Sequence, residues 1–189
     1  MNIFDIAKQN QEKAWQVIKN TNIIQIWEDA GAKINLVGSL RTGLLMKHRD
    51  IDFHIYSSAL NLTDSFQAMA RLAENPSIKR IECANLLHTA EACIEWHAWY
   101  QNEENELWQM DMIHIREGSR YDGYFEKVAQ RISEIMTDEI RETILRLKYE
   151  TPETEKIIGV EYYQAVIRDG VRDYSGFKEW RQQHPNTGV

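Results

Sequence analysis

Two aspartates separated by one residue, Asp50-Ile51-Asp52, are the part of this 189-residue chain best suited to chemistry. They open the run Asp50-Ile-Asp-Phe-His-Ile-Tyr56, in which polar and apolar residues alternate without a break, the pattern of a strand with one buried face. Ile51, Phe53 and Ile55 are expected to enter the core. Asp50, Asp52, His54 and Tyr56 are then expected on one open face, with the two aspartate Cα atoms roughly 6–7 Å apart. Two ionised carboxylates at about 6 Å repel by roughly 3 kcal/mol at an effective dielectric near 20. A divalent cation between them removes that penalty. A third carboxylate would complete a two-metal site of the kind that stabilises attacking and leaving oxygens on phosphorus. Asp111 is the candidate, because Met110 and Met112 flank it in an otherwise apolar run where a lone charge is costly. On the residues alone, a competing reading stays open: alternation turns Asp111 to solvent beside Gln109.

The acidic pair follows a second chemical feature, the apolar run Leu36-Val37 ending in Gly38-Ser39. Such a turn at a helix start presents backbone N–H groups and a hydroxyl to phosphate oxygens, and glycine permits close approach. Arg41, Lys47, His48 and Arg49 lie in the same stretch. They suit a small polyanion such as a nucleoside triphosphate, or they are solvated loop charges. His54, His97 and His114 each fall in a strand-like run and are read as structural histidines.

The elements that must hold these residues are legible in outline. Apolar residues from Ile3 to Trp27 recur at helical spacing with an interruption at Asn20-Thr21-Asn22, which predicts two helices. Thr21 or Asn22 can cap the second, and Gly31 can end it in a left-handed conformation. Residues 33–37 form a strand. After the carboxylate strand, residues 61–74 read as a helix with Thr63 as N-cap and Phe66, Met69, Ala70 and Ala73 facing inward. Three strands are predicted at 78–87, 92–101 and 107–115, the last two joined by the polar turn 102–106. Trp96, Trp99 and Trp108 are assigned to sheet packing. Beyond Gly118 the pattern is helical: Phe125, Val128, Ile132 and Ile135 share one face, and Ile140, Ile144 and Leu147 another, with Thr137-Asp138 between. Thr151-Pro152 reads as a helix restart leading to a helix that ends at Gly170. A last short helix and a frayed tail from Pro185 complete the chain.

Composition narrows the function classes. Hydrophobic content of 43% and charged content of 27% are those of a globular protein, and no apolar run approaches the ~20 residues of a membrane span. The N-terminal residues lack a basic segment followed by an apolar one, and Cys83 and Cys93 read as reduced thiols, so a cytoplasmic setting is expected. A net charge of −7 argues against nucleic acid as a partner, because affinity for a phosphate backbone comes from clustered Lys and Arg.

Taken in order, Gly38-Ser39, Asp50-Ile51-Asp52 and the lone Asp111 resemble the nucleotidyltransferase superfamily typified by DNA polymerase beta. Its pattern is a strand, Gly-Ser, a short helix, Asp-x-Asp on the next strand and a single acid on a later one. The resemblance covers roughly the first 115 residues. Gly38-Ser-Leu-Arg-Thr-Gly-Leu44 looks like the version in non-canonical poly(A) and terminal uridylyl polymerases, whereas the small size and short helical end look more like minimal bacterial enzymes that nucleotidylate antibiotics. Arg49 stands where many members have serine. The resemblance implies an α+β fold, a mixed sheet flanked by helices, with a catalytic domain over 1–118 and a helical region over 119–189 packed on it. It implies that Gly38 and Ser39 bind an NTP, and that Asp50 and Asp52 hold the Mg²⁺ carrying the triphosphate. Both, with Asp111, would hold the Mg²⁺ that activates an acceptor hydroxyl. The implied reaction moves a nucleoside monophosphate to a small-molecule hydroxyl with loss of pyrophosphate. The alternative is a regulatory or antitoxin-like protein of the same fold that modifies or binds a partner protein.

Overall fold

The computed structural model describes residues 2–155 and 157–185. Most of the expected frayed tail, Asn186–Val189, lies outside the described residues. The chain begins with α1 (Ile3–Thr21) and α2 (Ile23–Asp29), separated by Asn22 at φ 53°. Asn is one of the few residues that adopts this left-handed geometry at low cost. Thr21 is no cap, since its buried hydroxyl donates back to the Val17 carbonyl at 2.8 Å. Gly31, at φ 78°, follows the end of α2 as expected.

Next come β1 (Lys33–Leu36), the single turn α3 (Gly38–Arg41), β2 (Asp50–Ser57) and α4 (Leu62–Ala73). Then β3 (Ile78–Asn85), β4 (Cys93–Gln101) and β5 (Leu107–Arg116) precede α5 (Tyr124–Ile135) and α6 (Asp138–Glu150). The chain ends with α7 (Gly159–Tyr163), which runs into a π-helical turn Gln164–Arg168, and α8 (Tyr174–Gln183).

Three expectations fail: Thr63 falls inside α4 and not at its cap, while Phe66 and Thr151 lose their expected places to hydroxyls already engaged inside the core. In α4 the cap is Asn61, not Thr63, and Ser65, Ala68, Met69 and Leu72 form the buried face. Ser65 holds the inner position because its hydroxyl accepts from Trp96 Nε1 at 2.8 Å and meets His114 Nδ1 at 3.0 Å. Phe66, expected inward, is displaced to 49% exposure and rests edge-on against Trp96. Thr151 likewise closes α6 and does not restart a helix. Its hydroxyl donates to the Leu147 carbonyl at 2.8 Å and accepts from Tyr162 at 2.9 Å.

The five strands form one mixed sheet in the order β1-β2-β5-β4-β3. β2 and β5 run parallel, and the other neighbours are antiparallel. β5 therefore slots between β2 and β4, which brings the lone aspartate beside the acidic pair. One sheet face is packed by Ile51, Phe53, Ile55, Trp96, Met110 and Met112 against α1, α2 and α4, with Trp27 and Leu72 fully buried there. At about 25 cal/mol per Å² of apolar area removed from water, this layer is the main stabilising term of the sheet. A second core joins Ala7 of α1 and the loop residues Leu44 and Met46 to Ile144, Leu147, Tyr162, Phe177 and Trp180 of the helical region. α1 thus contributes to both. Among the described residues no helix is long and apolar enough to cross a membrane, and both cysteines are free thiols.

Candidate active site

Strand register builds the site. Asp52 on β2 is the direct partner of Asp111 on β5, and Asp111 is the direct partner of His97 on β4. Asp50 is paired with Gln109 one step along. All five side chains are half-buried and lie on the sheet face opposite the core. The structure therefore brings Asp50, Asp52 and Asp111 together on one face.

Gly38 and Ser39 meet this row from α3. Gly38 has φ +67°, and a Cβ built on it would lie 1.9 Å from Asp52 Oδ2. No side chain fits there, so the glycine is required both by its backbone and by the carboxylate packed against it. The Ser39 N–H donates to the Asp52 carboxylate. That N–H is accordingly engaged within the protein.

Lys148 of α6 was not singled out by sequence. It is only 6% exposed, and its Nζ donates to Ser39 Oγ at 2.8 Å and to the Leu44 carbonyl at 3.1 Å. The Tyr162 and Tyr163 rings lie 5.6 Å from the ammonium, and Tyr163 Oη is 3.5 Å from Ser39 Oγ. A buried ammonium is costly unless it is paired and hydrogen-bonded. Its position next to Ser39 follows from helix α6 packing on the loop 42–49, which no local pattern announces; a lysine one residue after the apolar Leu147 was the only signal.

Electrostatics set Asp52 apart. Burial, then the neighbouring Asp50 and Asp111 charges, push its carboxyl up to about 7, against a smaller opposing pull from Lys148 and the Ser39 N–H. The three neighbouring carboxylates offer oxygen donors of the kind Mg²⁺ takes, since it uses one or two protein carboxylates together with water and substrate phosphates. Among the described residues no three His, Cys, Asp or Glu side chains are placed to hold a metal ion as they stand.

The open face is shorter than the alternation predicted. His54 and Tyr56 are 6% and 3% exposed because α5 lies over them. Phe125 packs edge-on to His54 at 4.6 Å, and Glu126 accepts from Tyr56 Oη at 3.0 Å and from Asn35 Nδ2 at 2.8 Å. Burial lowers the His54 pKa and raises that of Tyr56. His114 is structural, as expected: it lies on the core face between Ser57 and Ser65, and burial pushes it down to about 4. His97, on the open face, has its Nδ1 2.5 Å from Asp111 Oδ1. The basic residues of the loop disperse: Lys47 donates to the Tyr149 carbonyl at 2.7 Å, and Arg49 pairs with Glu106 at 2.9 Å. His48 Nε2 is buried without a hydrogen-bond partner among the described residues.

No protein-family model and no curated protein matches the sequence. Solved structures do match. The Cid1 poly(U) polymerase with MgGTP bound aligns at TM-score 0.61 and 13% identity, over 87% of this chain and 53% of that one. A GLD-2/RNP-8 complex structure aligns at TM-score 0.59 and 10% identity, over 99% of this chain and 72% of that one. A cytoplasmic RNA terminal U-transferase aligns at TM-score 0.55 and 10% identity, over 87% and 50%. The chain spans about half the length of the Cid1 chains it matches. The chain shares the fold of these structures, an α+β arrangement of a mixed sheet with a helical flank.

Proposed function

We propose that the chain is a nucleotidyltransferase that moves a nucleoside monophosphate from an NTP to an acceptor hydroxyl, with pyrophosphate leaving in line. The observation that carries this is the meeting of the Asp50, Asp52 and Asp111 row with the half-buried Ser39 and the buried Lys148, whose oxygen and ammonium stand 2.8 Å apart. In this reading Ser39 donates its hydroxyl hydrogen to a phosphate oxygen and Lys148 neutralises the triphosphate from beneath. The Gly38 backbone lets the Asp52 carboxylate approach that same point. Asp50 and Asp52 would hold the cation that accompanies the triphosphate, and both, with Asp111, would hold the one that activates the acceptor hydroxyl. When bound, Mg²⁺ supplies positive charge to the phosphate oxygens and lowers the cost of deprotonating the acceptor hydroxyl. Residues 1–118 supply the sheet and its acids, and the helical region from 119 supplies Lys148 and the opposite wall.

The acceptor we favour is a small hydroxylated molecule, cationic and not anionic. Glu95 continues the polar sheet face beyond the three aspartates, and the chain carries a net charge of −7. A second reading, an RNA 3′ end, has its own support. The matched structures are of RNA-tailing enzymes by name, and Trp99, two residues from His97 on the same face, carries the Arg80 guanidinium at 4.3 Å. An aromatic ring with a cation is a common platform for a nucleobase. Incubating the protein with each labelled NTP and Mg²⁺ in the presence of amino sugars, single-stranded RNA or candidate partner proteins separates the readings by where label appears. Label on none of them overturns the proposal.

A further inference from the structure

Asp111 is held asymmetrically. His97 Nδ1 lies 2.5 Å from Asp111 Oδ1, and Gln109 Nε2 donates to the same Oδ1 at 2.7 Å. A carboxylate oxygen has about two lone-pair sites, so two N–H donors saturate Oδ1. No hydrogen bond to Oδ2 is found among the described residues. His97 approaches from β4, across Asp111 from Asp52, and Gln109 from the residue two positions earlier on β5. The Trp99 ring lies tilted beside the imidazole, centroids 6.2 Å apart, and carries the Arg80 guanidinium at 4.3 Å. Because a carboxylate oxygen can only accept, this contact fixes the hydrogen on Nδ1.

We propose that His97 and Gln109 are positioning residues that clamp Asp111 through Oδ1, leaving Oδ2 as the single oxygen it presents toward Asp52 and a cation. Asp111 is thereby restricted to one-oxygen ligation in a fixed direction, while Asp50 and Asp52, outside the clamp, bind independently of it. The inference rests on the nucleotidyltransferase reading for its catalytic consequence, but not for the clamp. Partners that orient a ligating carboxylate typically change metal affinity or activity by about 10–100-fold when removed.

The test uses Mn²⁺ as a spectroscopic probe of the full chain with a non-hydrolysable NTP analogue, read by electron paramagnetic resonance, beside steady-state kinetics with Mg²⁺ and NTP. In His97→Phe the weaker Mn²⁺ site should lose about 10–100-fold in affinity while the tighter site is unchanged. The value of kcat should fall by a similar factor with the KM for NTP within about threefold. His97→Asn, whose amide nitrogen takes the place of Nδ1, should recover most of both losses. Gln109→Leu should show the same pattern with a smaller loss, and it reads the same oxygen should His97→Phe fold poorly. Unchanged Mn²⁺ affinity and kcat in the His97 and Gln109 variants overturn the clamp. So does a His97→Asn loss as deep as that of His97→Phe. If the wild type transfers nothing but its weaker Mn²⁺ site still depends on His97, the clamp stands and the nucleotidyltransferase reading falls.

Discussion

The two faces of the sheet use nearly the same kinds of residue to opposite ends. On the core face the polar group is His114, and every contact it makes removes it from chemistry: Ser57 Oγ at 2.8 Å, Ser65 Oγ at 3.0 Å, and the edge of Trp27 at 4.9 Å. On the open face Asp52 is given company of its own charge, with Asp50 and Asp111 beside it and a smaller opposing pull from Lys148 and the Ser39 N–H. The first arrangement lowers the energy of the empty protein. The second raises it, and a bound cation with triphosphate would recover the difference. Destabilised polar clusters in clefts are where function is expected to sit.

Four measurements would break or sharpen this contrast, the largest effect first. Asp52→Asn should reduce NMP transfer by about a thousandfold or more, the several kcal/mol that a metal-held charge supplies. The same variant should unfold at a higher temperature than the wild type in EDTA, because one of three repelling charges is gone. A clear fall in melting temperature there would make Asp52 a structural residue and end the contrast.

The mirror experiment is Met110→Ala on the core face, which should cost about 2–5 kcal/mol in chemical denaturation. Transfer per folded molecule should stay near that of the wild type. A selective loss of kcat in this variant would mean the two faces are coupled through β5.

The pH dependence of stability should run in opposite directions for the two groups. His114 is pushed down to about 4, below its unfolded value, so the unfolded chain takes up its proton first as pH falls. Its contribution, about 3 kcal/mol at most, is present above about pH 6.5 and lost toward pH 4. Asp52 is pushed up to about 7, so the folded state binds a proton more tightly than the unfolded chain. Its penalty is absent below about pH 4 and grows to about 4 kcal/mol at most as pH rises to 7. Urea unfolding of wild type and Asp52→Asn in EDTA at pH 5 and 8 separates them: the variant's advantage should be larger at pH 8. An advantage that shrinks with rising pH would reverse the sign assigned to Asp52.

Smallest in effect, Ser39→Ala should weaken NTP binding or transfer efficiency by about ten- to a hundred-and-fifty-fold, the 1.5–3 kcal/mol of one hydrogen bond to a charged group. Activity should remain measurable. Complete loss, with a covalent adduct on wild-type Ser39 by mass spectrometry, would replace the metal-assisted scheme with a serine nucleophile.

Sequence by itself determined what depends on period and neighbouring residues. The two-residue alternation of Asp50–Tyr56 sent Ile51, Phe53 and Ile55 to the core and the aspartates to the other face, since adjacent strand side chains have no other choice. Gly38 was legible because so few residues tolerate its backbone, and the Asn102–Glu106 turn because it is polar between two apolar runs. Tertiary structure decided what depends on which element lies over which. Whether His54 and Tyr56 met water was settled by α5, and whether Ser65 or Phe66 faced inward by a hydrogen bond from Trp96. That Asp111 would stand beside Asp52 followed from β5 inserting between β2 and β4. That Lys148 would reach Ser39, and His97 would hold Asp111, followed from helix packing and strand register between segments far apart in the chain, where periodicity carries no information about partners.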